Sequence, residues 1–274
     1  MTPLACSVHT HTTLCDGKHT LEEMAAAAYN AGVRYFGVSC HSHTPIPTDV
    51  GCVLSADMTT YRQAVLQLRA EYEGRMEVLL GLEWDICADV TPEGFDYWIG
   101  SVHYLQTGVD RYDAVDWDEE KLLACRDEVF RGDMLALTEA YFDRVAQVAA
   151  KHPTILGHID LITKLNEGNR FFDEDAPRYK KAALDALHAA DPASTLLEIN
   201  TGAMARGYRT APYPALSLLR EWKSMGGRVI LTADAHSADG VVFGYEQAAA
   251  HAKAAGFDRA ALLTLSGVEE CPLK

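Results

Sequence analysis

Short apolar runs alternate with longer amphipathic ones along this chain. Residues 4–8, 35–39, 77–82, 97–102, 154–157, 195–199 and 228–232 have the length and apolar content of β-strands, and 261–265 leaves room for one last short strand. Between them, residues 20–31, 58–73, 134–151, 176–190, 215–225 and 245–255 carry helical periodicity. The first helix has a start signal, Thr20 with Glu23 three residues on, and a stop at Gly32. Gly74 ends the second helix, and Gly226 with Gly227 ends the fifth. The longest connection, residues 104–132, is polar and acidic and predicts a loop with some helix.

Strands that alternate with helices pair in parallel, with each helix as a crossover. Seven or so such units predict an α/β fold in the form of a distorted, TIM-like β/α barrel of about seven parallel strands. An open doubly wound sheet is the alternative, but no Gly-x-Gly-x-x-Gly follows the first strand. Residues 1–274 are expected to form one domain, a size that α/β barrels often reach.

Composition narrows the function classes. Hydrophobic residues make up 48% and charged residues 23%, which is enough to build a core. No apolar run approaches the roughly 18 residues that a membrane span needs. The first residues lack the basic start and apolar stretch of a secretory signal. The seven cysteines are odd in number and scattered, so a reducing, cytoplasmic setting is expected. A net charge of −15 repels nucleic-acid phosphates and anionic lipid, and neither is an expected partner. The oligomeric state stays open. The same charge means that a phosphorylated substrate would need a local counter-field, which bound divalent cations would supply.

The chemistry-bearing residues fall into register with the strands. His9 and His11 follow the first strand, with Asp16 in the loop beyond. His41 follows the second, Glu83 the third, His103 the fourth, His158 the fifth, and Asp234 with His236 the seventh. In a β/α barrel all strand C-termini open onto one mouth, where the active site lies. Six imidazoles and three carboxylates would converge there, and burying so many together is costly without cations. Two or three divalent ions fit the mixed nitrogen and oxygen set, with zinc, manganese or iron as candidates. A lone histidine at a strand end is usually a loop residue, and Asp-x-His alone is weak; the weight lies in the register of the whole set. Asp16 could instead cap a turn with Gly17. His19 and His43 are close rivals for ligand positions, whereas His152, His188 and His251 read as structural.

In order and spacing, His9-Thr-His11, Ser39-Cys-His41, Gly81-Leu-Glu83, Gly100-Ser-Val-His103, Gly157-His158 and Asp234-Ala-His236 resemble the polymerase and histidinol phosphatase (PHP) family. The match runs from the first strand to the last. Three stretches are similar to its histidinol-phosphatase branch: 99–103 with the acidic segment after it, 156–166, and 197–202 with the arginine-containing loop before Tyr213-Pro214. Strand two ends Ser-Cys-His where the family more often has Thr-Asp-His.

The resemblance implies a di- or trinuclear site with Glu83 as a bridge. His9, His11, Glu83 and Asp234 would hold one ion; Glu83, His103 and His158 a second; Asp16, His41 and His236 a third. It implies hydrolysis of a small phosphomonoester, histidinol phosphate first. Glu83 belongs to the catalytic set, and Asp234 and His236 are candidates to protonate the leaving oxygen. Lys164, Arg206 and Arg209, on loops after strands five and six, are candidates to bind phosphate. The acidic residues of 110–120 could receive a substrate amine or form a wet surface. A nucleotide or sugar phosphate is the nearest competing substrate. A non-catalytic metal-binding module is the competing class, disfavoured by the complete ligand set.

Overall fold

The chain's local signals are borne out at the first helix. In the computed structural model, α1 (Leu21–Asn30) is capped by Thr20, whose hydroxyl accepts from Glu23 N while the Glu23 carboxylate accepts from Thr20 N. Gly32, at φ 84°, lets the chain leave the helix in a left-handed conformation. The structure describes residues 5–49, 51–53 and 57–273; Leu4, the first residue of the first expected strand, lies outside them.

The strands are β1 (Cys6–Ser7), β2 (Tyr35–Val38), β3 (Glu77–Asp85), β4 (Tyr97–Ser101), β5 (Tyr104–Gln106), β6 (Tyr112–Ala114), β7 (Ile155–Leu156), β8 (Leu196–Asn200), β9 (Arg228–Thr232), β10 (Arg259–Thr264) and β11 (Gly267–Pro272). The remaining helices are α2 (Met58–Glu71), α3 (Glu119–Glu128), α4 (Met134–Ala149), α5 (Pro177–His188), α6 (Gly202–Ala205), α7 (Leu216–Ser224) and α8 (Tyr245–Ala254).

The main sheet has nine strands in the order β1-β2-β3-β4-β7-β8-β9-β10-β11. This corrects the expected count of about seven. The first eight pair in parallel and β11 returns antiparallel to β10, from Thr264↔Gly267 to Arg259↔Pro272. The sheet curls until the chain just past β1 meets the chain just past β9. There Thr10 and Ala235 form a parallel bridge, with Ala235 N donating to His9 O at 3.0 Å and His11 N to Ala235 O at 2.9 Å.

Two apolar clusters fill the two faces of the curl. The larger joins the sheet to the helices and includes Phe36, Tyr141 and Trp222. The other draws on the strands and Val8 just past β1, with Cys6, Leu79, Ile99, Ile155 and Ile230 meeting Leu262 of β10. Tyr97 crosses this inner cluster and donates to Val8 O at 2.6 Å. Its side chain fits because β3 and β2 carry glycine: a Cβ on Gly81 would lie 2.2 Å from the ring, and one on Gly37 2.2 Å from the hydroxyl.

The segment expected as a loop with some helix contains a two-stranded hairpin, β5–β6, before α3. Among the described residues no helix is long and apolar enough to cross a membrane.

Candidate metal centre

Parallel strands bring their C-terminal ends together, and the site forms there. Glu83 lies within β3, which runs to Asp85 and so extends past the expected end of that strand. Its carboxylate is buried and surrounded by five imidazoles. Oε2 lies 2.9 Å from His41 Nδ1, 3.3 Å from His9 Nε2 and 3.4 Å from His11 Nε2. Oε1 lies 2.9 Å from His158 Nε2 and 3.3 Å from His103 Nε2, and accepts from Ser101 Oγ at 2.8 Å.

Asp234 approaches from β9. Its Oδ1 lies 3.3 Å from His11 Nε2 and 3.6 Å from His9 Nε2. Its backbone is left-handed, at φ 49°, an uncommon conformation that the flanking bridge through Ala235 holds in place. Asp16 reaches in from the loop after β1, with His236 Nε2 at 3.2 Å, His11 Nδ1 at 3.4 Å and His41 Nε2 at 3.6 Å. All nine sequence-expected ligands thus meet in one volume. The rivals lie elsewhere: His43 pairs with Asp89 at 2.6 Å, and His19 Nδ1 accepts from Ala238 N at 3.2 Å.

Among the described residues, candidate ligand atoms close enough to share an ion fall into four overlapping groups. These are His9, His11 and Asp234; His9, Glu83 and His158; His41, Glu83 and His103; and His11, Asp16, His41 and His236. The grouping differs in detail from the expected one. His9 and His158 share a group and His41 and His103 share another, whereas Glu83 stands in two, as expected of a bridge. The residues fit cations on an independent count. His9 Nε2, His11 Nε2 and Glu83 Oε2 are buried, point toward one another, and have no hydrogen-bond partner.

The electrostatics follow from this interleaving. Burial alone would raise the Glu83 pKa, but the imidazoles of His41, His9 and His103 hold it well below the usual range. Burial pulls His103 down, yet Glu83 and Asp85 outweigh it and lift the ring to about 10. Burial and His41 lower His11, and its contacts to Asp16 and Asp234 raise it to about 10. Without cations, protons on the imidazoles balance the charge of the ionised carboxylates; divalent ions would compete for the same nitrogens and release those protons on binding.

A cavity of about 360 Å³ opens over the cluster, with Lys164, Arg206 and Asp116 in its wall. The Arg206 fork donates from Nη2 to Asp234 Oδ2 at 3.0 Å, and its Nη1 lies 3.1 Å from His236 Nδ1. Lys164 Nζ is 2.9 Å from Asp116 Oδ2. Arg209 does not line the cavity. Its guanidinium donates to Glu174 at 2.9 Å and Thr163 O at 3.0 Å, and pairs with Glu167 at 3.2 Å. Three acceptors outside the cavity hold it there.

Sequence reasoning missed two buried carboxylates. Asp85 accepts from His103 N at 2.7 Å and lies 3.2 Å from its Nδ1. It stands two residues after Glu83 on the same strand, so alternation places both on one face, a signal that was available. Glu198, in the middle of β8, lies 2.5 Å from His9 Nδ1. Its signal was an acidic residue inside an apolar strand.

A curled parallel sheet with imidazoles and carboxylates gathered at its C-terminal edge defines a class of protein, one whose chemistry runs on a cluster of metal ions. The PHP domain family matches residues 6–202, and the chain belongs to that family. The Histidinol-phosphatase of Bacillus subtilis (strain 168) is 26% identical over 268 residues, covering 87% of this chain and 96% of that protein. Among solved structures, hisK of Listeria monocytogenes, described as a proposed histidinol phosphatase, superimposes with a TM-score of 0.70 at 17% identity, over 87% of this chain and 98% of that one. The histidinol phosphate phosphatase HISK of Lactococcus lactis subsp. lactis Il1403, crystallised with zinc, L-histidinol and phosphate, superimposes with a TM-score of 0.67 at 21% identity, over 96% and 98%. Both structural likenesses are likenesses of fold.

Proposed function

We propose that this chain is a metal-dependent phosphomonoester hydrolase whose substrate is histidinol phosphate, and that residues 1–274 act as one cytoplasmic unit on a distorted barrel. The observation that carries the reading is the convergence of the unpartnered His9 Nε2, His11 Nε2 and Glu83 Oε2 beneath a cavity walled by Arg206 and Lys164. The Bacillus subtilis protein named Histidinol-phosphatase, aligned over 96% of its length, supports the choice of substrate.

In this reading His9, His11, Asp16, His41, Glu83, His103, His158, Asp234 and His236 hold two or three ions of zinc, manganese or iron. Such ions activate water at neutral pH and neutralise charge on the phosphoryl group. Arg206 donates its fork to phosphoryl oxygens, and Lys164 adds a second positive charge. Neither candidate to protonate the leaving oxygen rests in its acid form: burial and the neighbouring His11 hold the His236 pKa below its ordinary value. Burial favours the neutral acid at Asp234, but Arg206 and His9 outweigh it and keep the carboxyl ionised.

The test is turnover on a panel of phosphomonoesters by protein of measured metal content. Histidinol phosphate should have the highest kcat/KM, and chelation should abolish activity. A higher kcat/KM on a sugar or nucleotide monophosphate would move the substrate assignment. Metal-loaded protein inert on every ester would remove the enzyme reading.

A further inference from the structure

Glu198 is fully buried, and its carboxylate is ringed by donors. Oε1 accepts from Thr232 Oγ1 at 2.7 Å and lies 2.5 Å from His9 Nδ1. Oε2 accepts from His158 N at 2.6 Å and Asn200 Nδ2 at 3.1 Å. Two of these donors cannot be reversed. A backbone N–H only donates, and Asn200 must present its amide nitrogen because its own Oδ1 accepts from Gly202 N at 2.7 Å. The two fixed donors fill Oε2, and as a carboxylate the group also accepts at Oε1, from Thr232 Oγ1 and His9 Nδ1.

This determines what His9 can do. A neutral imidazole carries one proton. An acceptor-only neighbour at Nδ1 takes that proton and leaves the lone pair on Nε2. Nε2 faces Glu83 Oε2 at 3.3 Å and Asp234 Oδ1 at 3.6 Å, and it has no hydrogen-bond partner. A lone pair aimed at two carboxylate oxygens is repulsive unless a proton or a metal cation stands among them, and a bound cation takes the place of that proton.

We propose that Glu198 is the positioning residue of the centre, fixing His9 as the Nδ1–H tautomer so that Nε2 is free to bind a cation, while its other oxygen anchors the backbone at His158. It touches neither substrate nor ion, and acts through His9. The proposal rests on the metal-centre reading above.

Glu198→Gln tests it with almost no change in shape. The glutamine oxygen must face the fixed donors, His158 N and Asn200 Nδ2, which turns the NH2 toward His9 Nδ1 and Thr232 Oγ1. His9 then has to accept at Nδ1 and carry its proton on Nε2, pointing into the site. In zinc-loaded protein, nitrogen-15 histidine NMR should show His9 protonated at Nδ1 in the wild type. The variant should melt cooperatively yet lose zinc to a graded series of chelators about 10- to 100-fold more readily, with fewer ions per chain. Thr232→Val removes a different donor from the same carboxylate and should hold zinc as the wild type does.

A folded Glu198→Gln protein with wild-type zinc affinity overturns the proposal. So does wild-type His9 deprotonated at Nδ1, a result that holds even if the variant does not fold. Wild-type protein that binds no divalent cation sinks the metal-centre reading and this proposal with it. Wild-type protein that binds cations, beside an unimpaired variant, sinks the role of Glu198 alone.

Discussion

Replacing Arg206 separates the two jobs its guanidinium is placed to do. One half of the fork donates to Asp234 Oδ2 at 3.0 Å, and Nη1 lies 3.1 Å from His236 Nδ1 at the edge of the cavity. If the group grips the substrate phosphate, Arg206→Ala removes a hydrogen bond between charged partners, a contribution of roughly 1.5–3 kcal/mol. At about 1.4 kcal/mol per tenfold, kcat/KM should fall about 10- to 100-fold. Arg206→Lys keeps the charge but loses the planar fork, so its loss should be smaller but measurable. Because Arg206 also touches Asp234, metal content must be measured on the same samples; the prediction is that it stays at the wild-type level. Arg209→Ala is the matched control. Its three acceptors lie in 163–174, so its loss should lower the melting temperature and leave kcat/KM close to wild type. Wild-type kcat/KM in Arg206→Ala with full metal, or impairment confined to Arg209→Ala, would refute the assignment.

Glu83→Gln should lower kcat by at least on the order of a hundredfold and reduce bound metal, since one carboxylate faces five imidazoles; near wild-type kcat with full metal occupancy would contradict its bridging role. Gly81→Ala drives a methyl group into the Tyr97 ring, 2.2 Å away, and should cost about 1–3 kcal/mol, read as a lower melting temperature; an unchanged melt would mean that Tyr97 moves freely. Burial, partly opposed by its contact to Pro214 O, lowers the His251 pKa below 6.5, so the unfolded chain binds that proton more readily than the native one. Stability should therefore fall as pH drops below about 6.5, and His251→Gln should remove part of that fall, with equal pH slopes in both proteins as the opposing result.

The chain's local chemistry sets much of this protein. The capping pair at Thr20 and Glu23, the glycine stops and the alternation of apolar runs depend on neighbours a few residues apart, so they can be read directly. The candidate ligand set is legible for a related reason. In parallel strands every C-terminal end opens on the same side, so a histidine or carboxylate at that position needs no tertiary knowledge to be placed. Other features depend on partners far along the chain. The β5–β6 hairpin has strands of three residues, too short for alternation to register, and β11 pairs through a backbone whose Glu269 and Glu270 side chains face water. Arg206 and Arg209 look equivalent in sequence; Glu174, 35 residues upstream, draws one out of the cavity, and Asp234, 28 residues downstream, holds the other at its wall. Glu198 reads only as a charge inside an apolar strand until folding brings His9, 189 positions away, within 2.5 Å. Strand ends are specified locally, whereas the partner of a buried charge is chosen by whichever segments the curled sheet brings against it.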